Sequence, residues 1–209
     1  MSDWGFDFRS TLGFVTDPAN CYPVLGETFP HTYDAGVSAG FVSPGSLNLV
    51  NGSAGVDARL AGCIFENNSP FQMTFRVTLP ATGTYTIDVV CGDVGYAESN
   101  MKVEVFDTGS SLGVLMTGAS TASSSRWVDT DGTDMTEATW LVGHTTVDKT
   151  FTTTECNFKI GNLATYTKIN HIRVTSVAGG PSAGTDTATA GLTESLNTVS
   201  VTLSIQESG

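Results

Sequence analysis

Positive charge is scarce in this chain: nine lysines and arginines stand against 21 aspartates and glutamates, giving a formal net charge of −12 and a pI near 4.3. Affinity for phosphate backbones comes mainly from Lys and Arg displacing counterions, so nucleic acid is excluded as a partner class, and an anionic membrane surface with it. Long apolar runs are missing too. No stretch of about 18 apolar residues is present to span a bilayer. The start, Met1-Ser2-Asp3-Trp4, has neither the basic residues nor the apolar stretch of a secretory signal, so export by a signal peptide is not expected. Cysteine is sparse. Cys21, Cys63, Cys91 and Cys156 lie far apart with no CxxC pair, a spacing that gives no zinc motif and favours buried thiols over any of the three possible disulfide pairings. Charged residues are only 14% of the chain, while Gly numbers 23 and Thr 31, a composition poor in helix formers and suited to strands and turns.

What is there suffices for a core. Hydrophobic residues make up 40% of the 209, including 11 Phe, 5 Tyr and 3 Trp, which excludes disorder and fits one large all-β domain or two small ones. Residues 3–50 carry Asp17-Pro18, Tyr22-Pro23, Phe29-Pro30 and Ser43-Pro44, so long helices are precluded and loops with short strands are expected. Phe71, Met73, Phe75, Val77 and Leu79 then alternate with polar residues, which marks a strand with one buried face. Pro80-Ala81-Thr82-Gly83 supplies a turn and 84–91 a returning strand, together read as a β-hairpin. Further strands are expected at 101–106, 113–116, 151–154, 157–160 and 169–174, with polar residues from Ser120 to Thr139 leading to Trp140. Nothing repeats at 3.6 over a useful length, so a two-sheet antiparallel sandwich is favoured over an α/β fold. Residues 178–190 are almost all Gly, Ala, Ser, Thr and Asp and read as a flexible linker. A last alternating strand at 198–205 has no evident hairpin partner. The expected organisation is a β-sandwich over 1–176 and a linker with a C-terminal strand over 177–209.

Several of these segments form a set: Phe6-Asp7-Phe8, then Phe75-Arg76-Val77-Thr78-Leu79-Pro80 with Gly83-Thr84-Tyr85, Cys91-Gly92-Asp93, and Ile169-Asn170-His171-Ile172. Over about residues 5–175 the chain resembles the galactose-binding-like jelly rolls of the malectin and carbohydrate-binding-module kind, including those attached to pectin-degrading esterases and lyases. The resemblance implies a jelly-roll sandwich whose loops at one end hold glycans between aromatic rings and hydrogen-bonding side chains. It places candidate glycan contacts at Asp93 and Tyr96, in the loop after the Gly-Thr-Tyr strand. Trp127 and Trp140, in long polar segments, are candidate stacking platforms, with packing in the interior as the competing role. Such domains often carry a structural calcium ion. Asp129, Asp131 and Asp134, with Glu137 nearby, supply hard oxygen ligands in a short acidic turn. The Gly of that turn, however, falls at the fourth position of the run and no helical pattern is read on either side, which favours a solvated turn.

Catalytic signals are thin. Gly109-Ser110-Ser111-Leu112-Gly113 matches G-x-S-x-G, but a nucleophile elbow requires a helix to follow and Val114-Leu115-Met116 reads as strand. His31, His144 and His171 are isolated, and His171 lies inside an expected strand, to face solvent or satisfy a neighbour. The chain is therefore read as non-enzymatic. Its acidic, Thr- and Gly-rich composition and extended termini look like those of an accessory or decoration protein on a phage particle, made in the host cytoplasm and partnered by other virion proteins or by itself. The alternative is an extracellular carbohydrate-binding module of a polysaccharide-degrading system.

Overall fold

The computed structural model describes residues 3–12, 19–33, 37–42, 46–52 and 55–177. The linker at 178–190 and the strand expected at 198–205 lie outside the described residues. In chain order the elements are β1 (Asp3–Phe8), β2 (Cys21–Val24), β3 (His31–Thr32), β4 (Ser38–Phe41), β5 (Leu47–Asn51), α1 (Ala58–Ala61), β6 (Gly62–Glu66), β7 (Gln72–Thr78), β8 (Gly83–Asp93) and β9 (Met101–Asp107). They continue with β10 (Ser110–Ala119), β11 (Arg126–Val128), β12 (Asp134–Met135), α2 (Glu137–Val142), β13 (Val147–Phe151), β14 (Glu155–Gly161) and β15 (Ile169–Ser176).

These strands form two sheets. One runs β12-β11-β8-β15-β1-β2, with β13 joined to β8 and the β5–β6 pair joined to β15; the other runs β10-β9-β14-β7-β4-β3. The chain crosses between them at β2→β3, β4→β5, β6→β7, β7→β8, β8→β9, β10→β11, β13→β14 and β14→β15, the exchange that makes a jelly-roll sandwich. Almost every pairing is antiparallel, the exception among named strands being the parallel β1–β2 contact. No helix among the described residues is long and apolar enough to cross a membrane.

The hairpin expected over 71–79 and 84–91 is corrected. Both segments are strands, but β7 pairs with β14 and β4, whereas β8 pairs with β15, β11 and β13. The Pro80 turn carries the chain across the core instead of back along the same sheet. Alternation identifies a strand and its buried face, and it carries no information about the partner. Tyr85 fixes the crossing, since its ring is buried and its hydroxyl donates to the Ala81 carbonyl at 2.9 Å. The 101–106 and 113–116 segments do form a hairpin, with the Gly109-Ser110-Ser111 motif at its turn.

The core lies between the sheets. Phe75 of β7 meets Phe6, Phe8 and Phe41 at centroid distances of 5.2, 4.9 and 5.3 Å, all near edge-to-face. Each such buried ring contributes about 1.5–3 kcal/mol by leaving water. This cluster ties the opening segment, expected from its prolines to hold loops and short strands, to the centre of the domain. β8 shows a second feature: beyond Asp88 it is buried on both faces. Its outer face is covered by Leu60 of α1, Trp127 of β11 and Trp140 of α2, which pack with Val90 into a smaller core. Two-sided burial explains why Val89-Val90-Cys91 is an unbroken apolar run. The four cysteines are all buried and none forms a disulfide.

Candidate functional site

The ends of β8 and β14 and the starts of β7, β9 and β15 meet at one end of the sandwich. Gly92 permits the approach of β11 there, because a Cβ on it would lie 2.5 Å from the Arg126 carbonyl oxygen. Asp93 then turns the chain outward. Its Oδ1 accepts from the Gly95 amide at 2.6 Å, and its carbonyl accepts from the Ser125 amide at 2.9 Å. Tyr96, three residues after the strand, is thrown out into solvent with 69% of its surface exposed.

Beneath that loop sits Lys168, contributed by the segment that leads into β15. Its ammonium donates to Asp93 Oδ2 and lies 2.7 Å from Glu98 Oε1, and all three side chains are buried. Glu98 is itself pinned, its backbone exchanging hydrogen bonds with Thr121: its amide donates to Thr121 Oγ1 at 2.8 Å and its carbonyl accepts from the Thr121 amide at 2.9 Å. Burial alone would favour a neutral Lys168, but hydrogen bonds to the two carboxylates outweigh it and raise the ammonium well above the usual lysine range. Burial pushes the Glu98 carboxyl up, against the attraction of Lys168. The triad carries one more negative charge than positive, an excess that, with burial, favours a proton on Glu98.

Aromatic rings surround the triad. The Lys168 nitrogen lies 4.9 Å from the Tyr96 centroid and 5.3 Å from that of Phe65. Tyr166 packs on Phe65 at 5.0 Å and on Phe71 at 6.0 Å. Two clefts open here, one of about 360 Å³ walled by Asn51, Phe65, Asp93, Tyr96 and Lys168, the other of about 230 Å³ walled by Phe71, Glu98, Ser99 and Tyr166. Asp93 and Tyr96, named from the sequence, are therefore brought together, with Asp93 as a turn-closing carboxylate in the cleft wall and Tyr96 as the exposed ring. Lys168, Glu98, Phe65 and Tyr166 escaped sequence reasoning. The available signal was a lone lysine in the otherwise uncharged run Tyr166-Thr167-Lys168-Ile169-Asn170.

Trp127 and Trp140 are corrected: neither can be a stacking platform. Both indoles are buried, at 1% and 0% exposure. Trp127 donates from its ring nitrogen to the Leu60 carbonyl at 3.2 Å. Trp140 lies between the Arg59 guanidinium, 4.5 Å from its centroid, and the His144 ring, stacked at 4.4 Å. The cause is local. Thr136 and Thr139 form a capping box that starts α2, and Asp57 at the start of α1 donates its amide to Glu137 at 2.6 Å. The polar segment is a covering layer, pinned over the sheet through its tryptophans.

The calcium ligands are corrected as well. Asp129 accepts from the Thr133 and Thr145 amides at 3.0 and 2.7 Å. Asp131 accepts from the Thr133 amide at 2.9 Å, and Asp134 pairs with Arg126 at 2.7 Å. Backbone donors and an arginine hold these carboxylates, so the acidic run closes a turn. Among the described residues the one convergence of three His, Cys, Asp or Glu donors is Asp7, Cys21 and His171, which includes none of these three.

No family model matches the sequence, and no curated protein is similar to it. Among solved structures, the chain is similar to protein YxiM of Bacillus subtilis, at 19% identity over 84% of this chain and 40% of that one, with a TM-score of 0.49. It is also similar to β-glucuronidase 2 of Bacteroides uniformis, at 13% identity over 84% of this chain and 18% of that one, with a TM-score of 0.46. A third is the CBM36-1 domain of a multidomain xylanase from the hindgut metagenome of Trinervitermes trinervoides, at 10% identity over 68% of this chain and 98% of that one, with a TM-score of 0.36. The chain thus spans less than half of the first two. All three likenesses have TM-scores under 0.5 and carry no argument about function.

Proposed function

We propose that this chain is a non-catalytic glycan-binding domain whose contact surface is the pair of clefts beside Tyr96, with neutral oligosaccharides as ligands. The observation that carries the reading is an exposed tyrosine ring over a buried Lys168–Asp93–Glu98 triad, at the mouth of a cleft walled by a further aromatic ring, Phe65. A flat apolar ring on a fixed loop suits the apolar face of a pyranose, and the cleft is of a size that admits a small ligand. Rigidity matters, because a loop already ordered by buried ion pairs loses little entropy on binding. The surplus negative charge in the triad, and −12 on the whole chain, disfavours acidic sugars.

A hydrolytic role for the same carboxylates runs against their geometry. Two carboxyl groups that cleave a glycosidic bond must leave space between them for that bond, whereas here the Lys168 ammonium contacts both. The virion-surface or self-assembly reading draws on composition and on the 177–209 tail, and nothing among the described residues speaks for it.

The test is a glycan array followed by titration calorimetry on any hit. Tyr96→Ala weakens binding by about 1–3 kcal/mol, roughly 5- to 150-fold, while Tyr96→Phe retains most of the affinity. Equal affinity for wild type and Tyr96→Ala would place the sugar elsewhere, and an array without hits would remove the proposal.

A further inference from the structure

The outer face of the larger sheet holds a second chemical group, formed from three distant parts of the chain. Asp7 on β1 stands opposite His171 on β15, and Gly5 on β1 stands opposite Cys21 on β2. Phe6 and Phe8 point into the core, so the alternate residues Gly5 and Asp7 face outward, under α1. One donor atom from each of Asp7, Cys21 and His171 lies within 4.8 Å of the other two, and all three side chains are buried. The absence of a side chain at Gly5 lets them meet: a Cβ there would lie 2.4 Å from Cys21 Sγ and 3.1 Å from His171 Cε1.

We propose that Asp7, Cys21 and His171 form a binding site for a divalent ion of the zinc class. The donor set is a carboxylate oxygen, a thiolate sulfur and an imidazole nitrogen, which together suit zinc and cobalt(II) and not calcium or magnesium. Asp7 has unused capacity: its Oδ1 contacts His171 Nδ1 at 2.6 Å, but its Oδ2 is buried with no hydrogen-bond partner. An unsatisfied buried polar atom is costly and calls for a reason. Two arginines act on the cluster electrostatically, Arg59 on Cys21 and Asp7 and Arg173 on Cys21, and each has a carboxylate partner of its own. Arg59 is engaged by Asp57 at 2.8 Å, and Arg173 by Asp3, with Arg173 Nε to Asp3 Oδ1 also at 2.8 Å.

On binding, the Cys21 thiol loses its proton to solvent and coordinates as the thiolate, giving with Asp7 two negative charges against the two positive charges of the ion. The Asp7–His171 contact opens to about 3.3 Å, the separation of two donors about 2.0 Å from a tetrahedral ion. Three protein donors leave a fourth position for water. Cys21 lies on β2 at the end of its sheet, so the site loads when that strand detaches or as the chain folds. No sequence spacing reveals it, because Asp7 and His171 are 164 residues apart.

The test uses the full chain, refolded from denaturant with cobalt(II), zinc or chelator. Cobalt gives a thiolate-to-metal charge-transfer band that saturates at one equivalent. Native mass spectrometry shows one bound zinc, and the melting temperature rises with zinc concentration. Cys21→Ser abolishes the band, Asp7→Asn weakens binding at least tenfold, and Cys63→Ser leaves both unchanged. If Cys21→Ser does not fold, protection of one thiol from alkylation by zinc in the wild type, mapped to Cys21, decides the matter. Wild type that refolds without retaining an ion, or that retains one with Cys21 still alkylated, overturns the proposal.

Discussion

Replacing Lys168 with methionine removes the ammonium that holds Asp93 and Glu98 together and puts an apolar chain of similar length in its place. All three groups are buried in the wild type, with 8% or less of each side chain exposed. Breaking a buried ion pair by deleting one partner destabilises by about 3–5 kcal/mol, because the other charge is left without compensation. That is a large share of the ~5–15 kcal/mol that holds a typical domain folded. The loss depends on pH. Glu98 already has a raised pKa from burial, and without Lys168 it rises further. A carboxyl whose folded pKa exceeds its unfolded value binds more protons when folded. Destabilisation therefore grows as pH climbs from the unfolded value, near 4.3, towards the folded one, and is fully present above it. Urea denaturation of wild type and Lys168→Met at pH 5 and pH 8 measures this, with the larger deficit expected at pH 8. Adding Glu98→Gln to the variant should restore part of the lost stability at pH 8 and flatten its pH dependence. A deficit under about 1 kcal/mol at pH 8 would show that Lys168 is effectively solvated, and the rigid-loop argument for Tyr96 would fall with it.

Trp140→Ala should cost about 3–5 kcal/mol in urea denaturation, as expected for a buried ring, yet leave sugar affinity unchanged at temperatures where the variant is folded. Loss of affinity without loss of stability would return Trp140 to the binding surface. The Asp88 hydrogen bond raises the His144 pKa, more than burial lowers it. Its stabilisation is thus complete below the unfolded value near 6.5 and is lost as pH rises through the folded value. The stability gap between wild type and His144→Gln should narrow from pH 5.5 to pH 8.5, and a gap flat with pH would contradict the Asp88 pairing. Millimolar calcium should leave the melting temperature where chelator leaves it, while Asp129→Asn lowers it through weaker acceptance from the Thr133 and Thr145 amides. A calcium-dependent rise abolished by Asp129→Asn would reinstate the acidic turn as a metal site.

Strands were legible wherever one face is buried and the other wet, as at β7 and β9, because burial alternates there with the side chains. Pairing was not. Leu79-Pro80 with Gly83-Thr84 signals a turn equally well for a hairpin and for a crossing between sheets, and only the distant partners β14 and β15 distinguish them. The opening segment forms the short strands that its prolines allow, but its depth in the fold was not legible: Phe6 and Phe8, ahead of the first of those prolines, reach the centre of the core on a strand paired with β15, more than 160 residues away in sequence. Tryptophans in a Ser- and Thr-rich run suggested exposure, yet polar composition there reflects a thin covering layer with one wet side, and the indoles fill its underside. At the site, Asp93 and Tyr96 were visible because they follow a recognisable strand end. Lys168, 75 residues from Asp93, had no local motif to reveal it.

The glycan-binding account is tested most directly by an amide-resolved NMR titration of the isotopically labelled chain with a panel of neutral oligosaccharides. The account predicts that a binding sugar shifts the amides of residues 93–99 and 164–168 and leaves those of 126–142, around the buried tryptophans, in place. Shifts concentrated in 126–142, or no shifts with any member of the panel at millimolar concentration, would contradict it.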